Sequence, residues 1–212
     1  MSTNQRESAV VPLPGGFNSL VTEVAGCRTC SEMAYSHVLG PVNGPLRARL
    51  LIVGEAPGRL GAARTGVPFQ GDRSGERLNA LLEAAALDRS EVFITNAVLC
   101  NPLAGEGDAA RNRRPRVSEL IACASFLERT LALVDAPVVA ALGGIALEAL
   151  GRLEPHGARQ VSVEAGQARG WAGRIMVPLV HPSPRTQGRR SWAQQIADWE
   201  QLGRIVSREA VR

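Results

Sequence analysis

The sequence predicts an α/β protein, a three-layer α/β/α sandwich around a central, mostly parallel four-stranded sheet. Three observations predict it. Four continuous apolar runs read as parallel strands buried on both faces. Segments of helical periodicity separate them. Each run is followed by residues with chemical potential, as at the carboxyl ends of strands in such sheets, where ligands bind.

The elements follow in chain order. Residues 1–16 form an expected flexible arm, punctuated at its end by Pro12, Pro14, Gly15 and Gly16. Residues 17–212 are expected to be one domain. A helix over Phe17–Ala25 delivers a Cys27-x-x-Cys30 pair. Arg49–Gly54 (RLLIVG) is the first strand, and Val92–Val98, Pro137–Leu142 and Ile175–Val180 are the others. Pro178 counts against regular central pairing in the last. Ser74 is a candidate cap for a helix that turns Leu78, Leu81, Leu82 and Ala85 inward. Ser118 would cap another, with Leu120, Ile121, Ala124, Leu127 and Leu131 inward. Ile145–Leu153 is a third helix. Ser191 starts the last, whose Trp192, Ile196, Trp199, Leu202 and Val206 share a face. That spacing reads the two tryptophans as core rather than as base-stacking platforms. Gly105–Arg116 and Val161–Trp171 are the least regular stretches.

A length of 212 residues with 45% hydrophobic content suits one domain with a sizeable core. All 24 basic residues are arginines. With no lysine, a lysine Schiff base cannot form and a Walker A phosphate loop cannot exist. The formal charge of +4 permits a nucleic-acid partner without requiring one. No apolar run is long enough for a membrane span. The first residues lack the basic and apolar regions of a signal peptide, so a cytoplasmic location is expected. The four cysteines, Cys27, Cys30, Cys100 and Cys123, then read as metal or cluster ligands before disulfides. One close pair with two scattered thiols suits an iron–sulfur cluster better than zinc. Four unrelated thiols remain the alternative.

GEAPGRLGAARTGVPFQGDRSGERL (54–78), TNAVLC (95–100) and HPSP (181–184) lie in that order behind the Cys pair. Together they resemble the uracil-DNA glycosylase superfamily over roughly residues 25 to 206. The likeness is to its iron–sulfur branches and is a hybrid. Glu55 and Gly58 are similar to family 4. Arg64-Thr65-Gly66, the longer spacing to Phe69 and Gly71–Gly75 are similar to family 5. Family 5 often has Asn or Asp where Ala63 stands, and family 4 has acids near Gly61-Ala62; both are missing here.

The resemblance implies a monofunctional glycosylase that excises uracil from single- or double-stranded DNA, with a structural [4Fe-4S] cluster on Cys27, Cys30, Cys100 and Cys123. A monomer without membrane association is expected. His181 would donate to uracil O2 as charge develops there, a contribution of roughly 10²–10³-fold. Asn96 would read the base through its amide, Phe69 would stack on the ring, and Gly54 and Ala56 would complete the pocket. Glu55 would orient water or stabilise the sugar cation. Asp72 is the nearest alternative acid, and helix-start stabilisation accounts for it as well. Pro57, Gly143, Gly144, Ser183 and Arg185 would contact DNA, with Pro184–Arg190 entering the minor groove. A better-known branch has Leu where Arg185 stands and Tyr where Gly58 stands, the Tyr excluding thymine. The segment Arg111–Arg116 is a candidate second phosphate contact. Two other outcomes stay open: a different or broader set of deaminated bases (hypoxanthine, xanthine, mismatched thymine), or a weakly active uracil-DNA binding protein.

Overall fold

A computed structural model describes residues 15–105, 107–186 and 188–210. The chain runs α1 (Gly15–Gly26), β1 (Met33–Ala34), β2 (Leu50–Gly54), α2 (Ala62–Thr65) and α3 (Arg73–Ala84). Next come β3 (Val92–Asn96), β4 (Asn101–Ala104), β5 (Arg111–Asn112), α4 (Val117–Leu133) and β6 (Val138–Leu142). It ends with α5 (Gly144–Leu153), α6 (Val161–Glu164), β7 (Arg169–Trp171), β8 (Arg174–Leu179) and α7 (Trp192–Glu209).

The four predicted strands pair in parallel in the order β3-β2-β6-β8. Alternation along each strand splits the core. Leu51, Val53, Phe93, Val139 and Met176 face one side, against α1, α4 and α5. Leu50, Ile52, Ile94, Val138 and Val177 face the other, against α3 and α7. Each face buries a separate apolar cluster, which makes the three layers.

The sheet has five strands, not the expected four. The fifth, β7, pairs antiparallel with β8 through Arg169–Trp171. Its connection turns on Ala172 and Gly173, both at positive φ (48° and 72°), as a tight hairpin requires. Three residues carry too little pattern to announce a strand. Pro178 is tolerated because β7 pairs only as far as Met176, so no neighbour there asks Pro178 for a donor. On its other side Pro178 sits opposite Ala141 of β6. A small sheet, β1-β4-β5, stands apart, and its last strand lies in one of the two least regular stretches.

Several helix starts differ from expectation. Residues 1–14 of the expected arm lie outside the described residues; Gly15 and Gly16 belong to α1, whose Phe17, Leu20 and Val24 are buried. Asp72, rather than Ser74, caps α3, because its Oδ1 accepts the Gly75 N–H at 3.0 Å. Helix α4 starts at Val117, before Ser118; the Glu119 carboxylate accepts the Arg116 N–H at 2.7 Å. Ile121 is 60% exposed, and Cys123 turns inward instead. Ser191 caps α7 as expected, accepting from Gln194 N–H at 3.2 Å. Trp199 is core, while Trp192 is half-buried under the Arg77 guanidinium, 4.2 Å from the ring centre. No described helix is long and apolar enough to cross a membrane.

Candidate active site

The carboxyl ends of β2, β3 and β8 open on a cleft of about 360 Å³. In-register pairing of β2 with β3 sets Gly54 beside Asn96. Glycine is required there: a Cβ on Gly54 would stand 2.5 Å from Asn96 Oδ1 and 3.3 Å from the Phe69 ring. Asn96 is 3% exposed, so its amide is held against the wall. Phe69 takes a positive φ of 53°, unusual for an aromatic residue. Its carbonyl packs on Gly75 of α3, where a Cβ would overlap it. That contact holds the strained turn.

His181 follows β8. Its ring tilts against Phe69 with centroids 5.6 Å apart. The Ser183 N–H donates to Nδ1 at 3.1 Å, so the neutral ring carries its proton on Nε2. The Thr186 hydroxyl lies 2.8 Å from the His181 carbonyl and fixes the loop from below. Burial pushes the imidazole down to about 4, against a weaker upward pull from Asp72. The ring is therefore a neutral donor at physiological pH.

Glu55 lines the same cleft. Burial raises its carboxyl above the ordinary value, opposed by Arg114. Its loop is pinned by Ala97 N–H to Gly54 O (2.8 Å) and Val98 N–H to Glu55 O (3.2 Å). Beyond it, Asn101 donates to Pro57 O at 2.5 Å and to Asn112 Oδ1 at 3.0 Å, and that same oxygen accepts the Arg59 N–H.

The family model described as "Uracil DNA glycosylase superfamily" matches residues 41–203. The chain belongs to the uracil-DNA glycosylase superfamily. The type-4 uracil-DNA glycosylase of Thermotoga maritima is 31% identical over 78% of this chain and 82% of its own length. The type-4 uracil-DNA glycosylase of Archaeoglobus fulgidus is 26% identical over 91% of this chain and 94% of its own. The type-5 uracil-DNA glycosylase of Pyrobaculum aerophilum is 28% identical over 80% and 84%. Relatives of both types fit the hybrid motifs of this superfamily member.

The structure gathers Glu55, Ala56, Pro57, Phe69, Asn96, His181, Ser183 and Arg185 at one cleft, with Gly54 behind its wall. Gly143 behaves differently from expectation. Its N–H donates to Leu179 O at 2.8 Å, so a phosphate cannot take it. Gly144 begins α5, where first-turn N–H groups have no partner within the helix. Ser183 uses its N–H on His181, and its Oγ accepts from Arg185 N–H at 3.3 Å. Four arginines of the two expected phosphate-binding segments are engaged elsewhere, Arg114 with Glu148 at 3.8 Å. Arg113 forms a two-pronged ion pair with Glu119 (2.5 and 2.8 Å), and Arg116 pairs with Glu32 at 2.6 Å. Arg190 pairs with Asp198 and reaches Ser162 O. Arg111, Arg114, Arg185 and Arg189 are exposed. Gln187 lies outside the described residues.

Asn101 and Asn112 line the cleft without having been singled out from sequence, while Arg114 and Thr186 reach it from the two segments expected to contact DNA. Asn101 stands directly after Cys100, and Asn112 is on a two-residue strand, so neither carries a periodic signal.

The cysteines come from three places: Cys27 and Cys30 from the loop between α1 and β1, Cys100 from the residue before β4, and Cys123 from α4. All four are free thiols, with Cys123 buried. Burial pushes Cys123 up to about 11 and raises Cys30 and Cys100. The charges of Cys27, Cys30 and Cys100 all act on Cys123. Backbone N–H groups of His37 and Leu99 donate to Cys100 and Cys123. Among the described residues no three His, Cys, Asp or Glu side chains converge on one metal ion. Surrounding contacts fix the loop: Tyr35 donates to Cys30 O at 2.7 Å and Arg28 to Cys27 O at 2.7 Å.

Proposed function

We propose that this protein is a monofunctional DNA glycosylase that hydrolyses the N-glycosidic bond of uracil in DNA and leaves an abasic site. The observation that carries the reading is His181: a neutral imidazole with its Nδ1 occupied by Ser183, ringed by Phe69 and Asn96. Such a donor meets the charge that develops on uracil O2 as the bond to C1′ breaks. Because it enters uncharged, it neither repels a proton nor attracts the neutral ground state strongly. Its stabilisation is concentrated in the transition state.

Uracil must first leave the helical stack, at a few kcal/mol. Phe69 stacking, about 1–3 kcal/mol per base, offsets much of that. The Asn96 amide accepts from N3–H and donates to O4, and Gly54 leaves room for it. Glu55, made more basic by burial, takes the proton of the water that adds to C1′. Ala56 and Pro57 carry the loop over the sugar, and Ser183, Gly144 and Arg185 face the phosphates. No lysine is present to form a Schiff base, so the strand stays intact after base release.

The four thiols hold a structural [4Fe-4S] cluster in this reading. What supports it is a donor set of sulfur alone, close enough that Cys27, Cys30 and Cys100 all act on Cys123 by their charge, with two sulfurs accepting backbone N–H groups. When bound, the cluster ties α1, the β1 loop, β4 and α4 together. A cation at the site would also reverse the upward push that burial gives these thiols. A colourless, zinc-containing protein would refute the assignment, and a brown one with labile sulfide would support it. The rest of the reading is one domain over residues 17–212, acting as a monomer in the cytosol on single- or double-stranded DNA.

A panel of single-lesion oligonucleotides under single-turnover conditions tests the function. The expected result is free uracil and a strand that breaks only after alkali. Release of hypoxanthine or xanthine but no uracil would replace the substrate, and binding without any release would replace the enzyme.

A further inference from the structure

The cleft holds a second carboxylate. Asp72 lines it together with Glu55 and His181, yet only one of its oxygens is used by the fold. Oδ1 accepts the Gly75 N–H and caps α3. Among the described residues, no hydrogen bond reaches Oδ2. That oxygen lies directly against the turn at the end of the Glu55 loop. A Cβ on Gly58 would stand 3.2 Å from Oδ2, and one on Gly61 would overlap it. The Asp72 carboxylate packs on the Gly61 backbone, in the space a side chain would fill. The turn is rigid, held by Gly61 and Ala63 N–H groups on Gly58 O and by Arg59 N–H on Asn112. Asp72 is also close enough to act on the His181 ring by its charge. A cap alone needs one oxygen, and Ser or Asn would serve it equally. The acid at this position is then left for the chemistry to explain.

We propose that Asp72 is a catalytic residue whose Oδ2 stabilises the positive charge that develops on the deoxyribose as the glycosidic bond breaks. This rests on the glycosylase reading above. The N1–C1′ bond breaks with its electron pair going to uracil, where His181 meets it. The oxocarbenium-like C1′ is left positive and faces carboxylate. Water then forms the new O–C1′ bond and gives its proton to Glu55. The two acids divide the work: Glu55, desolvated, handles the proton, and Asp72, at the positive end of α3, supplies fixed negative charge. This compensates for the small residues at Gly61, Ala62 and Ala63.

Two variants separate the cap from the charge. Asp72→Asn and Asp72→Ser both keep a side-chain acceptor for Gly75 N–H. Each is compared with wild type in thermal melting, in single-turnover uracil release, and in binding to two oligonucleotides. One carries a neutral tetrahydrofuran abasic site and the other a cationic pyrrolidine at the same position. The expected result is a melting temperature within about 4 °C of wild type, at least tenfold slower release, and at least tenfold weaker pyrrolidine binding with tetrahydrofuran binding within twofold. Release within threefold of wild type, or equal losses on both oligonucleotides, would overturn the role. A wild type that releases no uracil would instead overturn the glycosylase reading itself.

Discussion

The strand-end wall of the cleft and its arginine-rich lips use the same sequence economy in opposite ways. At the wall, Gly54, Asn96 and His181 are fixed by parallel register and by backbone hydrogen bonds, and each has one job. At the lips, one residue type has two jobs. Arg113, Arg114, Arg116 and Arg190 pair with Glu119, Glu148, Glu32 and Asp198, while Arg111, Arg185 and Arg189 are exposed with no ion pair among the described residues. With no lysine in the chain, composition alone cannot separate structural cations from phosphate-binding ones. Only position does. Arg113 is 16% exposed beside a Glu119 at 6%, and its partner stays ionised because that guanidinium holds the carboxyl below its ordinary value.

The largest expected effect lies at the wall. His181→Ala should slow uracil release by roughly 10²–10³-fold while DNA binding persists. Gly54→Ala should act on binding as well, since the added methyl displaces Asn96. Its uracil affinity should fall in a direct titration with inactive enzyme. At the lip, Arg113→Ala strands the Glu119 carboxylate. A fully buried pair would cost roughly 3–5 kcal/mol; partial exposure brings the expected loss to about 2–3 kcal/mol, read by denaturant unfolding. Arg185→Ala should do least. DNA affinity should drop severalfold, with a salt slope shallower by about 1 and no change in stability.

The pH profile sharpens the same contrast. His181 stays neutral until about pH 4, so the wall donor does not limit the rate on the acid side. Glu55, raised by burial, must be ionised to accept the proton of water. Single-turnover release should therefore fall with an apparent pKa above 4.5, and Glu55→Gln should remove that limb along with most of the rate. An acid limb that persists unchanged in the variant would move the base elsewhere.

What was legible in the sequence follows from how each part is held. The four parallel strands announced themselves because strands buried on both faces need unbroken apolar runs. The motif residues stood at their carboxyl ends for the same topological reason. Strand β7 did not show, because three residues with one buried Trp171 make no pattern. Asp72 was legible as an acid at a helix start, while the cap was assigned to Ser74; its second oxygen was not legible, and only the close approach of Gly58 and Gly61 shows where it lies. The sorting of arginines was equally hidden, since Glu32 and Arg116 are 84 residues apart in sequence. Gly143 looked like a phosphate donor, and only the neighbouring β8 carbonyl shows that its N–H is taken.

The central claim is that a neutral His181 donor drives release of uracil from DNA. Its most direct test is single-turnover release from a uracil-containing oligonucleotide by wild type and by His181→Ala, each at protein concentrations that saturate binding. The account predicts free uracil with an intact, alkali-labile strand from wild type, and release at least a hundredfold slower from the variant despite equal DNA occupancy. Equal rates from the two proteins would contradict it.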